Sequence, residues 1–159
     1  MFDYPPTKAY LCEVNALIMM TLSHITAAEA AAVIKDGDNL ALSGFTPNGN
    51  PKAIFRELSQ RAIREHEAGN PFAIGIFTGA SSCQSVEGDM ANAHAIKFRA
   101  PFSTNADFRN HVNLEEIDYE DMHLGHMAER MRHGFYGGMD WAVIEVSHYE
   151  IVGNTCRAY

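Results

Sequence analysis

The sequence predicts an α/β fold in which a mostly parallel sheet carries helices on both faces. Three observations lead there. Short apolar runs of strand length alternate with helical segments along most of the chain. The strand-like runs give way to loops rich in small and turn-forming residues, and helix-start signals follow several of these loops. Strands separated by helices build βαβ units, whose strands pair in parallel.

The first helical signal is a capping box, Thr26-Ala27-Ala28-Glu29. The Thr26 hydroxyl can accept the Glu29 amide while the Glu29 carboxylate reaches back to the Thr26 amide. Ala-rich sequence carries this helix to Lys35, and Gly37 suits the left-handed residue that ends it. Residues 39–43 read as a strand. A loop over 44–52 follows, in which Asn50 is expected to cap the next helix and Pro51 to occupy its first turn. That helix runs to about Glu67, with Ile54, Leu58, Ala62 and Ile63 on one face, and Gly69 closes it. Residues 71–78 form a strand of the buried type, carrying Phe72, Ile74, Ile76 and Phe77. The alternation continues with a helix at 86–93, a strand at 95–100, and a helix at 105–112 capped by Thr104 or Asn105. A short strand at 117–119, a helix at 124–132 ended by Gly134, and a last strand at 141–147 complete it.

The two ends depart from this pattern. Residues 1–24 read as a divergent or poorly ordered leader with Pro5-Pro6 and no period, and the ordered domain is expected from about His24, spanning 25–149. Residues 150–159 read as a truncated tail, because no covering helix follows the last strand.

Composition narrows the function. Apolar residues make up 47% of the 159 and charged residues 20%, a globular balance that excludes disorder as the main state. Twelve Lys and Arg against twenty Asp and Glu give a net charge of −8, which argues against nucleic acid as a partner. The most apolar run, 16–22, is too short for the ~20 residues of a membrane span. Glu13 interrupts the apolar stretch that a signal peptide beginning at Lys8 would need, so a cytoplasmic location is expected. Cys12, Cys83 and Cys156 are odd in number and form no CxxC pair, which excludes a zinc knuckle or a dithiol redox motif and fits a reduced, intracellular protein.

Ligands of open α/β sheets bind beyond the carboxyl ends of the strands. Three loops occupy that position: 44–52, 78–82 and 101–104. Their glycines permit close backbone approach, the helix starts offer free amides, and Thr46, Ser81, Ser82 and Thr104 add hydroxyls. Such loops suit a phosphate, a carboxylate or a thioester oxygen, although plain βα turns have the same composition. None is GxGxxG or a Walker loop. His123 and His126 share a helix face, but the glutamate and third ligand of a zinc enzyme are missing. The expectation is therefore no metal, with Asp121 capping that helix, His123 bonded within the fold, and Met122, Met127 and Met131 in the core. Glu145 lies inside the last apolar strand, where an unpaired charge is costly, so a structural Arg partner is expected. Cys83 stands in a suggestive loop, yet a lone cysteine is ordinarily inert.

The motifs at these loops also have a family likeness. Ile25-Thr26-Ala27-Ala28-Glu29-Ala30-Ala31, Lys35-Asp36-Gly37-Asp38 and Ser43-Gly44-Phe45-Thr46-Pro47-Asn48-Gly49-Asn50-Pro51-Lys52 resemble the start of the acetyl-CoA hydrolase/transferase family of class I CoA-transferases. Glu65-His66-Glu67-Ala68-Gly69, Phe77-Thr78-Gly79-Ala80-Ser81, Ile96-Lys97-Phe98-Arg99, Pro101-Phe102 and Asp121-Met122-His123-Leu124 extend the resemblance, which runs from about Ile25 to Tyr149. It implies a Rossmann-like domain, the first of two similar halves. It implies enzymatic acyl transfer or hydrolysis on short acyl-CoA thioesters and carboxylates, with the coenzyme A thioester as substrate and no covalently bound cofactor. By the same resemblance Ser81 and Thr104 sit near the acyl group or carboxylate, with Gly79, Ala80, Ser43, Gly44, Phe45 and Thr46 around them. Asn48 replaces a usual Ala, and Ser82-Cys83 stands where Thr-Gly is common.

Family members are several times longer. Their catalytic glutamate, which forms an acyl-glutamyl anhydride and then a CoA thioester, lies in the second half with the oxyanion-hole loops. No catalytic residue is thus expected in this chain, whose partners would be small-molecule substrates and either a carboxy-terminal half or a second copy. The ending after Glu150 resembles a truncation or frame change, and Met20 is a plausible natural start. Two other readings stand beside this one: a non-catalytic truncated binding module, and a metal-dependent hydrolase using His123 and His126.

Overall fold

The computed structural model describes residues 9–12, 22–153 and 155–159. Its centre is a five-stranded sheet in which every pairing is parallel. The strands are β3 (Asn39–Leu42), β4 (Ile74–Phe77), β5 (Ile96–Ala100), β6 (Asp118–Tyr119) and β7 (Trp141–Val143), in the order β6-β5-β4-β3-β7. The chain steps outward from β3 to β6, then returns to lay β7 on the other side of β3. Two hairpins flank the sheet. β1 (Ala9–Cys12) pairs antiparallel with β2 (Leu22–Ile25), and β8 (Tyr149–Val152) with β9 (Thr155–Ala158). The sequence reading anticipated neither hairpin. Its expectations for residues 1–8 and for most of the apolar run at 16–22 lie outside the described residues.

Helices cover both faces unequally. α1 (Ala27–Val33), α2 (Lys52–Glu67), α3 (Gly88–Asn92) and α4 (Ala106–Asn113) form a layer over Leu40, Ile74, Ile76 and Ile96. α5 (Leu124–Arg132) lies on the opposite face, where Met127 packs with Phe77 and Ala100, and with the half-buried Phe98, Met122, Met131 and Tyr136. Of the three methionines expected in the core, Met127 is buried and Met131 half-buried against it, while the half-buried Met122 reaches the surface. Among the described residues no helix is long and apolar enough to cross a membrane.

Local chemistry explains the elements. The α1 capping box forms as read: Glu29 N donates to Thr26 Oγ1 at 3.2 Å, and Thr26 N and Oγ1 donate to Glu29 Oε2 at 2.7 and 2.8 Å. Arg61 Nη1 then donates to the carbonyls of Ala31 and Ile34 at the end of α1, tying it to α2, while its guanidinium stacks on Phe72. Gly75 in mid-β4 is required, because a Cβ there would lie 2.4 Å from Asn39 Oδ1. That Asn39 side chain donates from Nδ2 to the carbonyls of Tyr136 and Gly138, locking the approach to β7.

Several expectations need correction. Asn50 does not cap α2; its side chain turns inward, and Nδ2 donates to the Thr46 and Asn48 carbonyls at 2.6 and 3.1 Å. Pro51 stands at the cap position and α2 begins at Lys52. Ile63 is 48% exposed, so the buried face of α2 is Ile54, Phe55, Leu58, Ser59 and Ala62. Asn105 rather than Thr104 caps α4, accepting from Phe108 N at 2.9 Å. α5 is capped by His123, whose Nδ1 accepts from Gly125 N at 3.3 Å, and not by Asp121. The strand expected at 141–147 stops at Val143, because its partner β3 ends at Leu42; beyond it, Ser147 N turns to the Tyr159 carbonyl at 2.8 Å. Glu145 is consequently exposed outside the sheet, and its amide donates to Ser43 Oγ at 2.8 Å.

Two outcomes are expected. Phe55 is fully buried in the helical-layer core, so Phe55→Ala should lower unfolding free energy by about 3–5 kcal/mol, measured by urea denaturation. The two hydrogen bonds from Thr26 hold the Glu29 carboxyl below the usual glutamate range. Its stabilising contribution is therefore present above the unfolded value of about 4.3 and is lost as pH falls through the lower folded value. Melting temperatures between about pH 5 and 3 should fall less steeply in Glu29→Gln than in the parent chain.

Candidate functional site

The carboxyl ends of β3, β4 and β5 open toward a cleft of about 420 Å³. Gly79, Ala80 and Ser81 from the β4 loop and Phe102 and Thr104 from the β5 loop form one part of its lining. Phe45 and Thr46 from the β3 loop form another, and Asp121, Met122 and Leu124 at the start of α5 complete it. The volume lies within the usual range for small-ligand sites, about 300–1,000 Å³.

At its polar centre, the hydroxyls of Ser81 and Thr104 are 2.9 Å apart, and Thr104 N donates to Ser81 Oγ at 2.9 Å. Ser81 is buried, whereas Thr104 is exposed to the cleft. Ser81 Oγ therefore accepts one bond from the backbone and shares another with Thr104 Oγ1. The pair offers a hydrogen-bonding edge, with one hydroxyl fixed and one facing the opening.

Beneath these two loops lies a buried ion pair. The Arg99 and Glu87 side chains are both 0% exposed. Arg99 Nη2 donates to Glu87 Oε1, to the Ala80 carbonyl at 2.6 Å and to the Phe102 carbonyl at 3.2 Å. The other carboxylate oxygen of Glu87 accepts from Ser103 Oγ at 2.8 Å. One guanidinium nitrogen thus joins the β4 and β5 loops directly under the hydroxyl pair. Among the described residues Arg99 Nε and Nη1 have no hydrogen-bond partner. Burial accordingly pushes the guanidinium below its usual value, with Glu87 pulling in the opposite direction. Tyr119 Oη accepts from Ser103 N at 3.3 Å, and burial raises its phenol above the usual range.

The β3 loop is held separately. Ser43 Oγ donates to the Gly49 carbonyl at 2.7 Å, and Gly44 has φ +120° with Asn50 pressed against it; a Cβ there would lie 2.7 Å from Asn50 Oδ1. Ser43 and Gly44 thus support the loop, while Phe45 and Thr46 reach the cleft. Thr46 has φ +55°, a strained conformation for a β-branched residue.

The structure therefore brings Ser81, Thr104, Gly79, Ala80, Phe45 and Thr46 to one cleft and leaves Ser43 and Gly44 just behind it. Phe102 belongs to the 101–104 loop expected at the site, whereas Asp121, Met122 and Leu124 were not expected as lining residues. The loop after β6 is also a strand-end loop, and that signal could have found the last three. Glu145, expected beside a structural Arg, is exposed; the carboxylate buried with an Arg partner is Glu87. Cys83 is half-buried, with Sγ 3.2 Å from Ser85 Oγ. Among the described residues no third ligating side chain gathers with His123 and His126.

Glu87→Ala leaves the Arg99 charge buried and uncompensated, and should cost about 3–5 kcal/mol in unfolding free energy. The double variant Glu87→Leu with Arg99→Met should recover most of that stability in urea denaturation.

Residues 21–156 match the acetyl-CoA hydrolase/transferase N-terminal domain. The chain is similar to a propanoyl-CoA:succinate CoA transferase of Escherichia coli, with 39% identity over 125 residues covering 79% of this chain and 25% of the relative. It is also similar to a succinyl-CoA:acetate CoA-transferase of Clostridium kluyveri, with 37% identity over 121 residues covering 76% of this chain and 22% of the relative. An acetyl-CoA hydrolase of Schizosaccharomyces pombe is 28% identical over 126 residues, covering 76% of this chain and 24% of that protein. The chain thus spans about a quarter of the length of the curated relatives it matches. With the family match extending over most of its length, the chain belongs to the acetyl-CoA hydrolase/transferase family, as its N-terminal domain.

Proposed function

We propose that this chain forms one wall of the active site of an enzyme that transfers or hydrolyses short acyl groups carried on coenzyme A. The observation that carries this reading is the Ser81–Thr104 hydroxyl pair at the centre of the cleft beyond β4 and β5. The pair suits the oxygen of a thioester or a carboxylate, and the apolar rim of Phe45, Phe102 and Leu124 suits a short acyl chain. Ser81 and Thr104 position the substrate; they are not nucleophiles here, because no general base lies within bonding reach of either among the described residues. The nucleophile and the oxyanion donors come from chain outside these residues, in line with the share of the relatives that is matched. Phe45, Phe102 and Leu124 are 62%, 44% and 46% exposed, an apolar rim that a second wall would cover.

This reading expects two results from the isolated chain. Acetyl-CoA, with or without succinate or acetate, should give no thiol release or acyl exchange above the uncatalysed rate, since losing even one oxyanion donor costs about 10²–10³-fold. Amide NMR shifts on adding acetyl-CoA should centre on Gly79, Ala80, Ser81 and Thr104 and weaken in Thr104→Val. Turnover abolished by changing Ser81, Glu145 or Cys83 would show that the chain carries its own nucleophile. Shifts confined to another surface would remove the site assignment.

A further inference from the structure

A second cluster of chemistry-bearing side chains lies away from the cleft, where α3 and α4 end side by side. His94 follows the last turn of α3, His111 sits in the last turn of α4, and Glu116 follows that helix. One ligand atom from each lies within 4.8 Å of the other two. His111 Nδ1 is 2.6 Å and His94 Nδ1 3.7 Å from Glu116 Oε2. The two imidazoles meet edge to face with ring centroids 5.2 Å apart. His94 and Glu116 are 62% and 39% exposed, so the cluster is open to solvent, whereas His111 is held at 15%.

The hydrogen bonds around His111 determine what this cluster can hold. Asn92 Nδ2 donates to the Asp107 carboxylate at 3.3 Å, which turns Asn92 Oδ1 toward His111 Nε2 at 3.2 Å. A carboxylate only accepts, so the amide orientation is set and Nε2 must carry the ring proton. A neutral His111 then directs the bare lone pair of Nδ1 at the Glu116 carboxylate. Two lone pairs at 2.6 Å require a positive charge between them, either a proton or a metal ion. A proton satisfies two groups, but a third donor, His94 Nδ1, also lies within reach of Glu116. The outer contact is of the kind that metal-ligating histidines make, with the second ring N–H given to a fixed acceptor. The carbonyl end of α4 adds partial negative charge nearby.

We propose that His94, His111 and Glu116 form a binding site for a divalent cation of the zinc class, with Asn92 as the positioning residue behind His111. Two imidazoles and one carboxylate suit zinc and its borderline neighbours rather than calcium or magnesium. Zinc takes such ligands at about 2.0–2.2 Å, a radius reached by rotating the exposed His94 and Glu116 side chains onto the fixed His111. The ion would fasten the ends of α3 and α4 to each other. Its place outside the cleft makes this site independent of the acyl-transfer reading.

The test is calorimetric titration of zinc chloride into the tag-free chain after treatment with chelator. One zinc per chain is expected. His94→Asn should abolish that binding while keeping the fold, because His94 sits at φ +50°, a conformation asparagine tolerates. Asn92→Ala should weaken binding by about 10–100-fold, and a His123→Ala/His126→Ala variant should bind as the parent does. Circular dichroism checks that each variant is folded. No saturable binding by the parent chain would overturn the proposal and assign the positive charge to a proton. Undiminished binding by folded His94→Asn would overturn it equally.

Discussion

The arrangement of the cleft depends on one interaction, the buried pair of Arg99 and Glu87. Removing both charges from water carries a desolvation cost that their mutual attraction offsets only with good geometry and further hydrogen bonds. Glu87 has both: one oxygen meets Arg99 and the other accepts from Ser103. Arg99 concentrates its bonds on a single nitrogen, which reaches the Ala80 and Phe102 carbonyls as well. The stability of this pair and the geometry of the two loops above it are therefore one problem. If the guanidinium moves, Ala80 and Phe102 lose their common anchor, and the contact between the Ser81 and Thr104 hydroxyls loses its support.

The sheet divides the labour between its faces. Four helices and most of the buried aliphatic residues lie on one side, including Phe55, Leu58, Ile74 and Ile76. Among the described residues the other side holds α5 and a small cluster of Phe77, Ala100 and Met127, filled out by methionines and aromatics. The cleft borders this thinner side and borrows Met122 and Leu124 from it. Methionine is flexible and polarizable, so that wall can adapt its shape more readily than the aliphatic core beneath the helical layer. The cleft thus has a rigid floor and an adaptable wall.

Much of this was legible in the sequence because it is local. Strand–loop–helix alternation marked every strand of the central sheet, the Thr26–Glu29 capping box formed as read, and the glycine- and hydroxyl-bearing loops pointed to the cleft. Short-range signals need only neighbouring residues to act. The failures lie where one local composition allows several pairings, or where the partner is distant in the chain. Asn50 has the composition of a helix cap but turns inward to organise the loop around Gly44. Residues 144–147 have strand composition, but β3 ends at Leu42 and Ser147 N turns instead to the Tyr159 carbonyl.

β5 shows most directly what tertiary structure alone decided. Strict alternation places Ile96, Phe98 and Ala100 on one face and Lys97 and Arg99 on the other. The pairing with β4 instead runs Ile74 to Ile96 and then Gly75 to Phe98, so Lys97 is an extra residue in the ladder. After that bulge Phe98 and Ala100 face α5, while Ile96 faces the helical layer. Arg99, paired with Ile76, turns toward that same layer and meets Glu87. The sequence by itself determined that there would be a parallel sheet, helices over it and polar loops at its carboxyl edge. It did not determine which face Arg99 would take, because a one-residue shift in register reverses every side chain that follows, and only the pairing of two whole strands selects the register.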